Sequence, residues 1–240
     1  MKALWAQMKF QKDLILTGTL VMLGMFVFGT ILHDVILVSG DEVDSVFCMG
    51  SFMALIVMCM MMFFFAGIHM VQIFNYAVAM GQTRKRTFPL YTIATFLTFA
   101  VLELILKLMN VLEKWRLGRM FPGLEIEDFL EEVIGFNALL AFALVGTAIG
   151  VLLGASISRF GKAAFWVWWV LFMVVCIGGP RLTHYVTEDY PDSPFVTWVN
   201  GVLAFVMAHA EAVGVAAVIA ATVIFTGIAY LLVRRQQVNV

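Results

Sequence analysis

The sequence predicts an all-α polytopic membrane protein with about six transmembrane helices and an N-terminal amphipathic helix. Hydrophobic residues make up 62% of the 240-residue chain and charged residues only 13%, whereas roughly a quarter of a soluble domain is charged. The apolar residues also form long runs, and a helix needs roughly 20 of them to cross the hydrocarbon core. No linker or low-complexity tract interrupts the chain, so we expect one membrane domain over residues 1–240.

The elements follow from the apolar runs, taken in order. Residues 1–13 predict an amphipathic entry helix that lies in the membrane interface. Residues 113–133 are amphipathic and acidic, are interrupted by Pro122-Gly123, and predict an outer loop with a surface helix. The second apolar run is too long for one crossing, so we expect its last turns to extend into the cytoplasm. The predicted spans lie at about residues 14–37, 46–80, 88–112, 134–157, 163–177 and 202–233.

The positive charges predict the orientation. With the N-terminus inside, the inner segments would hold ten Lys and Arg residues, and the outer segments would hold four. Cytoplasmic loops of membrane proteins carry the excess of Lys and Arg, so we expect both termini in the cytoplasm. The inner set consists of Lys2, Lys9, Lys12, Arg84, Lys85, Arg86, Arg159, Lys162, Arg234 and Arg235, and the outer set of Lys114, Arg116, Arg119 and Arg181.

A polar segment at residues 75–88 separates two apolar runs and predicts a cytoplasmic loop. It contains Gly81 and then the basic run Thr83-Arg84-Lys85-Arg86, and Phe88 begins the next apolar run. A shorter basic loop with Arg159, Gly161 and Lys162 follows the fourth span. Two interpretations of the first loop remain open. It can contact a partner, or it can be a plain topological anchor of the kind found in any polytopic protein.

Polar side chains recur at helical spacing on two neighbouring spans. His69, Gln72 and Asn75 repeat every three residues on the second span, and Thr92, Thr95 and Thr98 do so on the third. These stripes can line a common cavity or hydrogen-bond one another as packing contacts, and the sequence leaves both open. Glu103 is a further candidate lining residue. It precedes Lys107 by four residues and can pair with it, because the two share a helix face.

Three glycines at four-residue spacing mark the fourth span. Gly146, Gly150 and Gly154 form a flat groove that allows another helix to approach closely. The sequence does not say whether that helix belongs to this chain or to another.

The sequence lacks the complete motifs for nucleotide binding, haem binding and zinc-dependent proteolysis. Gly161-Lys162 is followed by Ala163, where a phosphate-binding loop requires Ser or Thr. The four His residues are spread over different predicted depths, which does not suit a haem, and no zinc-protease motif is complete. We therefore expect no catalytic residues, no metal and no cofactor in this chain, and no nucleic-acid partner.

Taken together, these features resemble the permease subunit of ABC-2-type (type V) ABC exporters. In that family the loop between the second and third spans reads as an aliphatic residue, Gly, a variable residue, Ser or Thr, Arg, Lys or Arg, and then an aromatic. The residues that match this pattern are Gly81, Thr83, Arg84, Lys85 and Phe88.

The resemblance implies a function. The loop would form a coupling helix on a separate ABC ATPase subunit, which holds the ATP and Mg, and Arg159, Gly161 and Lys162 would make a second contact. Two permease subunits would pair, as a homodimer or a heterodimer, in the plasma membrane of a bacterial cell. They would move a hydrophobic or amphipathic cargo outward, such as an antimicrobial peptide, a drug or a lipid. The alternative is a non-transporting membrane scaffold or small channel subunit.

Overall fold

The computed structural model describes residues 2–39, 45–79, 81, 83–122, 125–127, 136–174, 178 and 210–234. A π-helical turn, Met61–Phe65, joins α2 to α3, and two short strands, β1 (Ser45–Phe47) and β2 (Glu125–Glu127), pair in parallel. The helices are α1 (Lys2–Ser39), α2 (Met49–Met60), α3 (Ala66–Ala79), α4 (Arg84–Met120), α5 (Phe136–Phe160), α6 (Lys162–Met173) and α7 (Ala210–Arg234).

The prediction of an all-α membrane fold is confirmed. Within the described residues, five helical stretches are long and apolar enough to cross a membrane. These stretches are Gln7–Leu37, Met49–Ala77, Arg84–Met120, Ala138–Phe160 and Val213–Arg234. The helix α6 coincides with the predicted fifth span but is shorter, at 12 residues. The predicted end of that span at residues 175–177, and residues 202–209 of the sixth, lie outside the described residues.

Contacts between the helices of this chain show how the helices alternate in direction. The Tyr91 hydroxyl of α4 donates to the Ala66 carbonyl of α3, and Gly50 of α2 donates to Glu113 of α4, so these spans are antiparallel. The contacts between α1 and α4 run from Gln11–Thr98 to Asp34–Arg116, so this pair is parallel. As a result, α1 and α4 begin at the same end of the bundle at which α3 ends.

The π-helical turn and α3 run parallel to α5. Gly146 faces Met62, Gly150 faces Ala66, and Gly154 faces Met70, so residue numbers rise together along both helices. The chain then turns at Gly161 into α6. The last turn of α7 reaches Arg84, because the Arg84 Nη1 atom lies 3.3 Å from the Val233 carbonyl oxygen. The starts of α1, α4 and α6 and the ends of α3, α5 and α7 therefore lie together, and we call this the basic end.

The entry segment differs from its prediction. Residues 1–13 were expected to form a separate interfacial helix, but α1 continues unbroken from Lys2 to Ser39. Gln7 and Gln11 are buried, at 7% and 0% exposure, rather than lying at an interface. Gln11 is drawn inward because its amide hydrogen-bonds to α4, which keeps the helix straight against that neighbour.

The third span is longer than predicted. The helix α4 runs to Met120, so residues 113–120 of the predicted acidic outer loop continue the span. Glu113 and Leu117 are buried at 1% and 0%, since they extend the inward face that includes Leu106. A β1–β2 pairing follows this extension, with Val46 opposite Ile126. Residues 123–124 and 128–133 of the predicted loop lie outside the described residues.

An aromatic cluster holds α6 against the π-helical turn. Phe63 and Phe64 each lie 5.2 Å from Phe172, measured between ring centroids, and Phe64 also lies 5.2 Å from Trp169. Trp168 donates to the Ser156 hydroxyl of α5 at 3.0 Å. Aromatic pairs at this separation add about 0.5–1.5 kcal/mol beyond the apolar area they bury. The cluster therefore fixes α6 beside the π-helical turn and α5.

Candidate functional site

The first basic turn is short, and two of its three cations are exposed. Residues 75–79 of the predicted loop belong to α3 and residues 84–88 to α4, so the connection lies within residues 80–83. Gly81 has a φ of +81°, a left-handed conformation that glycine adopts without strain. Thr83 caps α4 in an extended conformation, and Thr83, Lys85 and Arg86 are exposed.

Two residues of the predicted docking loop face the protein instead of the solvent. Arg84 is half-buried and donates to Val233 at the end of α7. Phe88 is 4% exposed and packs edge-on against Tyr230, with 5.6 Å between ring centroids. Phe88 is therefore covered by α7, and its predicted role in ATPase coupling stays a prediction. Arg84 has an intrachain role as well, since it satisfies a carbonyl at a helix C-terminus, where cations are favoured.

The second basic turn resembles the first in geometry. Gly161 has a φ of +66° and precedes α6. Arg159, Gly161 and Lys162 are all exposed, and the Arg159 guanidinium lies 5.5 Å from the centre of the Phe160 ring. Both turns belong to the basic end defined above. The cations of this end whose side chains the structure describes are Lys9, Lys12, Arg84, Lys85, Arg86, Arg159, Lys162 and Arg234. Asp13 is a carboxylate at the same end.

The threonine stripe of α4 is used for packing against α1. Gln11 Nε2 donates to Thr95 Oγ1 at 2.9 Å, and Thr98 Oγ1 donates to Gln11 Oε1 at 2.7 Å. All three side chains are fully buried. A Gln amide has both a donor and an acceptor, so one side chain satisfies two hydroxyls. Of the two interpretations left open by the sequence, the structure favours packing hydrogen bonds for Thr95 and Thr98.

The remaining polar residues of the two stripes do not converge. His69 is half-buried, with its ring centroid 6.4 Å from that of Tyr91. Gln72 is exposed on the outside of α3. Thr92 donates to the Phe88 carbonyl of its own helix at 3.0 Å. Because these side chains point in different directions, the described structure does not bring His69, Gln72 and Thr92 into one cavity.

Glu103 and Lys107 do not form the ion pair that their spacing allowed. Glu103 is buried, with 2% exposure, while Lys107 is exposed. Glu103 Oε1 has no hydrogen-bond partner among the described residues. The described ion pair of α4 lies further along, where Arg116 Nη1 contacts both Asp34 oxygens at 2.7 and 3.0 Å. Helical spacing allowed the Glu103–Lys107 contact, but Lys107 extends outward.

The glycine face contacts a helix of the same chain. A β-carbon placed on Gly150 would lie 2.9 Å from the Ala66 Cβ and 3.0 Å from the Met62 carbonyl oxygen. On Gly146 it would lie 2.7 Å from the Met62 sulfur, and on Gly154 it would lie 2.8 Å from the Gly67 carbonyl oxygen. The groove is therefore filled by the π-helical turn and α3. This answers the question of which helix the glycines admit.

A buried carboxylate that the sequence analysis placed in a loop holds the start of α2. Glu113 accepts hydrogen bonds from the Gly50 amide at 2.8 Å, the Ser51 amide at 2.7 Å and the Ser51 hydroxyl at 2.5 Å. The N-terminus of a helix has amides without intrahelical partners and favours negative charge. The sequence signal that could have found this contact was the helical spacing of Leu102, Leu106 and Glu113, which places them on the same inward face of α4.

These observations define the class of the protein. It is a polytopic α-helical membrane protein whose described part has no group of three metal-binding side chains. Comparisons with protein-family models, with curated proteins and with solved structures found no match. The chemistry of the described residues therefore lies in a packed interior and in one strongly basic end.

Proposed function

We propose that this chain is the membrane-spanning permease subunit of an ATP-driven exporter, with a separate ABC ATPase subunit bound at the basic end. The observation that supports this most is the pair of glycine turns at Gly81 and Gly161. Each turn brings exposed polar and basic side chains to the same end of the bundle. Two turns at the same end of the bundle suit a partner that must move several helices at once.

In this proposal the basic end faces the cytoplasm, as its Lys and Arg content favours. The residues available to the ATPase subunit are those exposed in the turns, namely Thr83, Lys85, Arg159 and Lys162. Arg84 contributes by fixing α4 to the end of α7, so a push on the first turn reaches α7. A second permease subunit and a hydrophobic or amphipathic cargo complete the proposed complex, in the plasma membrane of a bacterial cell.

The test is whether a neighbouring reading frame encodes an ABC ATPase and whether that ATPase copurifies with the chain. The double variant Lys85→Glu/Lys162→Glu should lose at least tenfold in affinity for that subunit, because a broken interfacial charge pair costs about 2–5 kcal/mol. Lys12→Glu is the matched control, since Lys12 is an exposed cation of the same end outside both turns. Unchanged affinity in the double variant would contradict the proposal.

The packing of Gln11 against Thr95 and Thr98 supports a second candidate, a non-transporting membrane scaffold or small channel subunit. In that case buried hydrogen bonds hold the interior closed, and no cargo passage is needed. Proteoliposomes that contain the chain and its ATPase distinguish the candidates. A permease gives ATP-dependent movement of an amphipathic cargo and cargo-stimulated hydrolysis, whereas a scaffold gives neither.

A further inference from the structure

A cavity of about 340 Å³ lies between the start of α4 and the end of α7. Its lining residues are Thr83, Arg84, Lys85, Tyr230, Val233 and Arg234. Among the described residues, the lining thus carries three positive charges and no carboxylate. Cations gathered around one small cavity repel one another, and an anion bound there would offset that repulsion.

We propose that this cavity binds the phosphate headgroup of an anionic phospholipid. Arg84 provides a fixed side of the site, since its contact with the Val233 carbonyl holds the guanidinium in place. A guanidinium has five N–H donors and its fork matches a phosphate, so donors remain beyond the one used on Val233. Lys85 and Arg234 are exposed at the rim and can close on the same phosphate.

The surface next to the cavity suits the acyl chains of such a lipid. Ile224, Ile228 and Leu231 share one face of α7, and all three are exposed on the outside of the bundle. Arg234 follows Leu231 by three residues, so this apolar stripe continues into the charged cavity. Tyr230 lines the cavity, and Tyr is favoured at the membrane–water interface.

The charge of the whole basic end favours the lipid as the source of the phosphate. Anionic lipids of a cytoplasmic leaflet attract basic residues by roughly 1 kcal/mol for each Lys or Arg near the surface. A free phosphate ion would use the cavity but gain nothing from the stripe on α7. The proposal requires only that the protein lies in a membrane, and it does not depend on an ATPase partner.

The experiment uses the full-length protein, purified in mild detergent without an ATPase and titrated with lipid under native mass spectrometry. Phosphatidylglycerol should bind in preference to phosphatidylcholine. Arg234→Gln should weaken phosphatidylglycerol binding about fivefold, and Lys85→Gln/Arg234→Gln should weaken it about 25-fold, following the contribution of each cation near an anionic surface. The matched control is Arg159→Gln/Lys162→Gln, which removes the same charge from the second turn, outside the cavity, and should weaken binding clearly less than Lys85→Gln/Arg234→Gln does.

Two results would overturn the inference. One is equal loss of phosphatidylglycerol in the control and in Lys85→Gln/Arg234→Gln, which would mean that only the net charge of the end matters. The other is displacement of bound phosphatidylglycerol by an equal concentration of its deacylated headgroup or of inorganic phosphate, which would make the cavity a simple anion site. Retention of the ATPase by Arg234→Gln keeps this outcome separate from that of the proposed function.

Discussion

Replacing Gly150 with alanine tests whether the glycine face of α5 determines how closely the helices pack. The added β-carbon would lie 2.9 Å from the Ala66 Cβ, whereas two carbon atoms in contact prefer about 3.5–4.0 Å. The two β-carbons must therefore move apart by at least about 0.6 Å, which requires the backbones of α5 and α3 to separate at this point. The carbonyl oxygen of Met62, at 3.0 Å, cannot move aside as a flexible side chain could.

The expected magnitude follows from two opposing terms. Overpacking of a well-packed contact costs about 1–3 kcal/mol. Alanine is a better helix former than glycine by up to about 1 kcal/mol, which offsets part of that cost. We therefore expect a net loss of about 1–2 kcal/mol for Gly150→Ala, and a larger loss for Gly150→Leu, which adds three more carbon atoms to the same contact.

The assay is the apparent thermal midpoint of the purified protein in detergent, measured by loss of the monodisperse peak in size-exclusion chromatography. Gly227→Ala on α7 and Gly24→Ala on α1 are the controls, because nothing lies within 4 Å of a β-carbon at either position. The double variant Ala66→Gly/Gly150→Ala removes the atom that Gly150→Ala meets and should recover part of the stability. Equal midpoints for Gly150→Ala and Gly227→Ala would refute this account of the packing.

Further predictions concern the buried polar contacts and the topology. Glu113→Ala should lower the apparent thermal midpoint, because it leaves the Gly50 and Ser51 donors unpaired at about 1–3 kcal/mol for each buried group, whereas Leu112→Ala on the exposed side of α4 should change it little. Gln11→Leu should also destabilise, since Thr95 and Thr98 lose a shared partner, and a midpoint equal to that of wild type would mean that these hydroxyls find other hydrogen-bond partners. Cysteines introduced at Asp41, Glu127 and Asp192 should react with an impermeant reagent in intact cells, and one at Gln82 should not; reaction at Gln82 would reverse the proposed orientation.

The fold class could be predicted from the sequence because apolar runs of the right length have few other structures open to them. The period of Thr95 and Thr98 likewise identified an inward face. The period does not identify the neighbour, and the partner proved to be Gln11 of α1 rather than the polar stripe of α3. Gln11 was assigned to an interfacial segment because nothing local distinguishes a wetted glutamine from one that bridges two helices.

Charge is a misleading sequence signal at Glu113 in a similar way. A carboxylate near the end of an apolar run normally indicates solvent, so the third span was ended before it. Its partners are backbone amides at the start of α2, more than 60 residues away in sequence, and no local pattern reveals such a contact. The glycine spacing on α5 was informative, because small residues at four-residue intervals have a direct meaning for packing. Only the identity of the partner helix had to come from the structure.

The π-helical turn at Met61–Phe65 has a consequence for how related chains would be aligned. One residue in an α-helix corresponds to a rotation of about 100°, so a chain one residue shorter in this turn would present a different side of α3 to α5. Met70 and Phe74, which now pack inward, would then face lipid. Substitutions between residues 66 and 79 can therefore be compared position by position only among sequences that retain the additional residue of the π-helical turn. An alignment gap of one residue in this segment would indicate a related chain whose second span buries a different face.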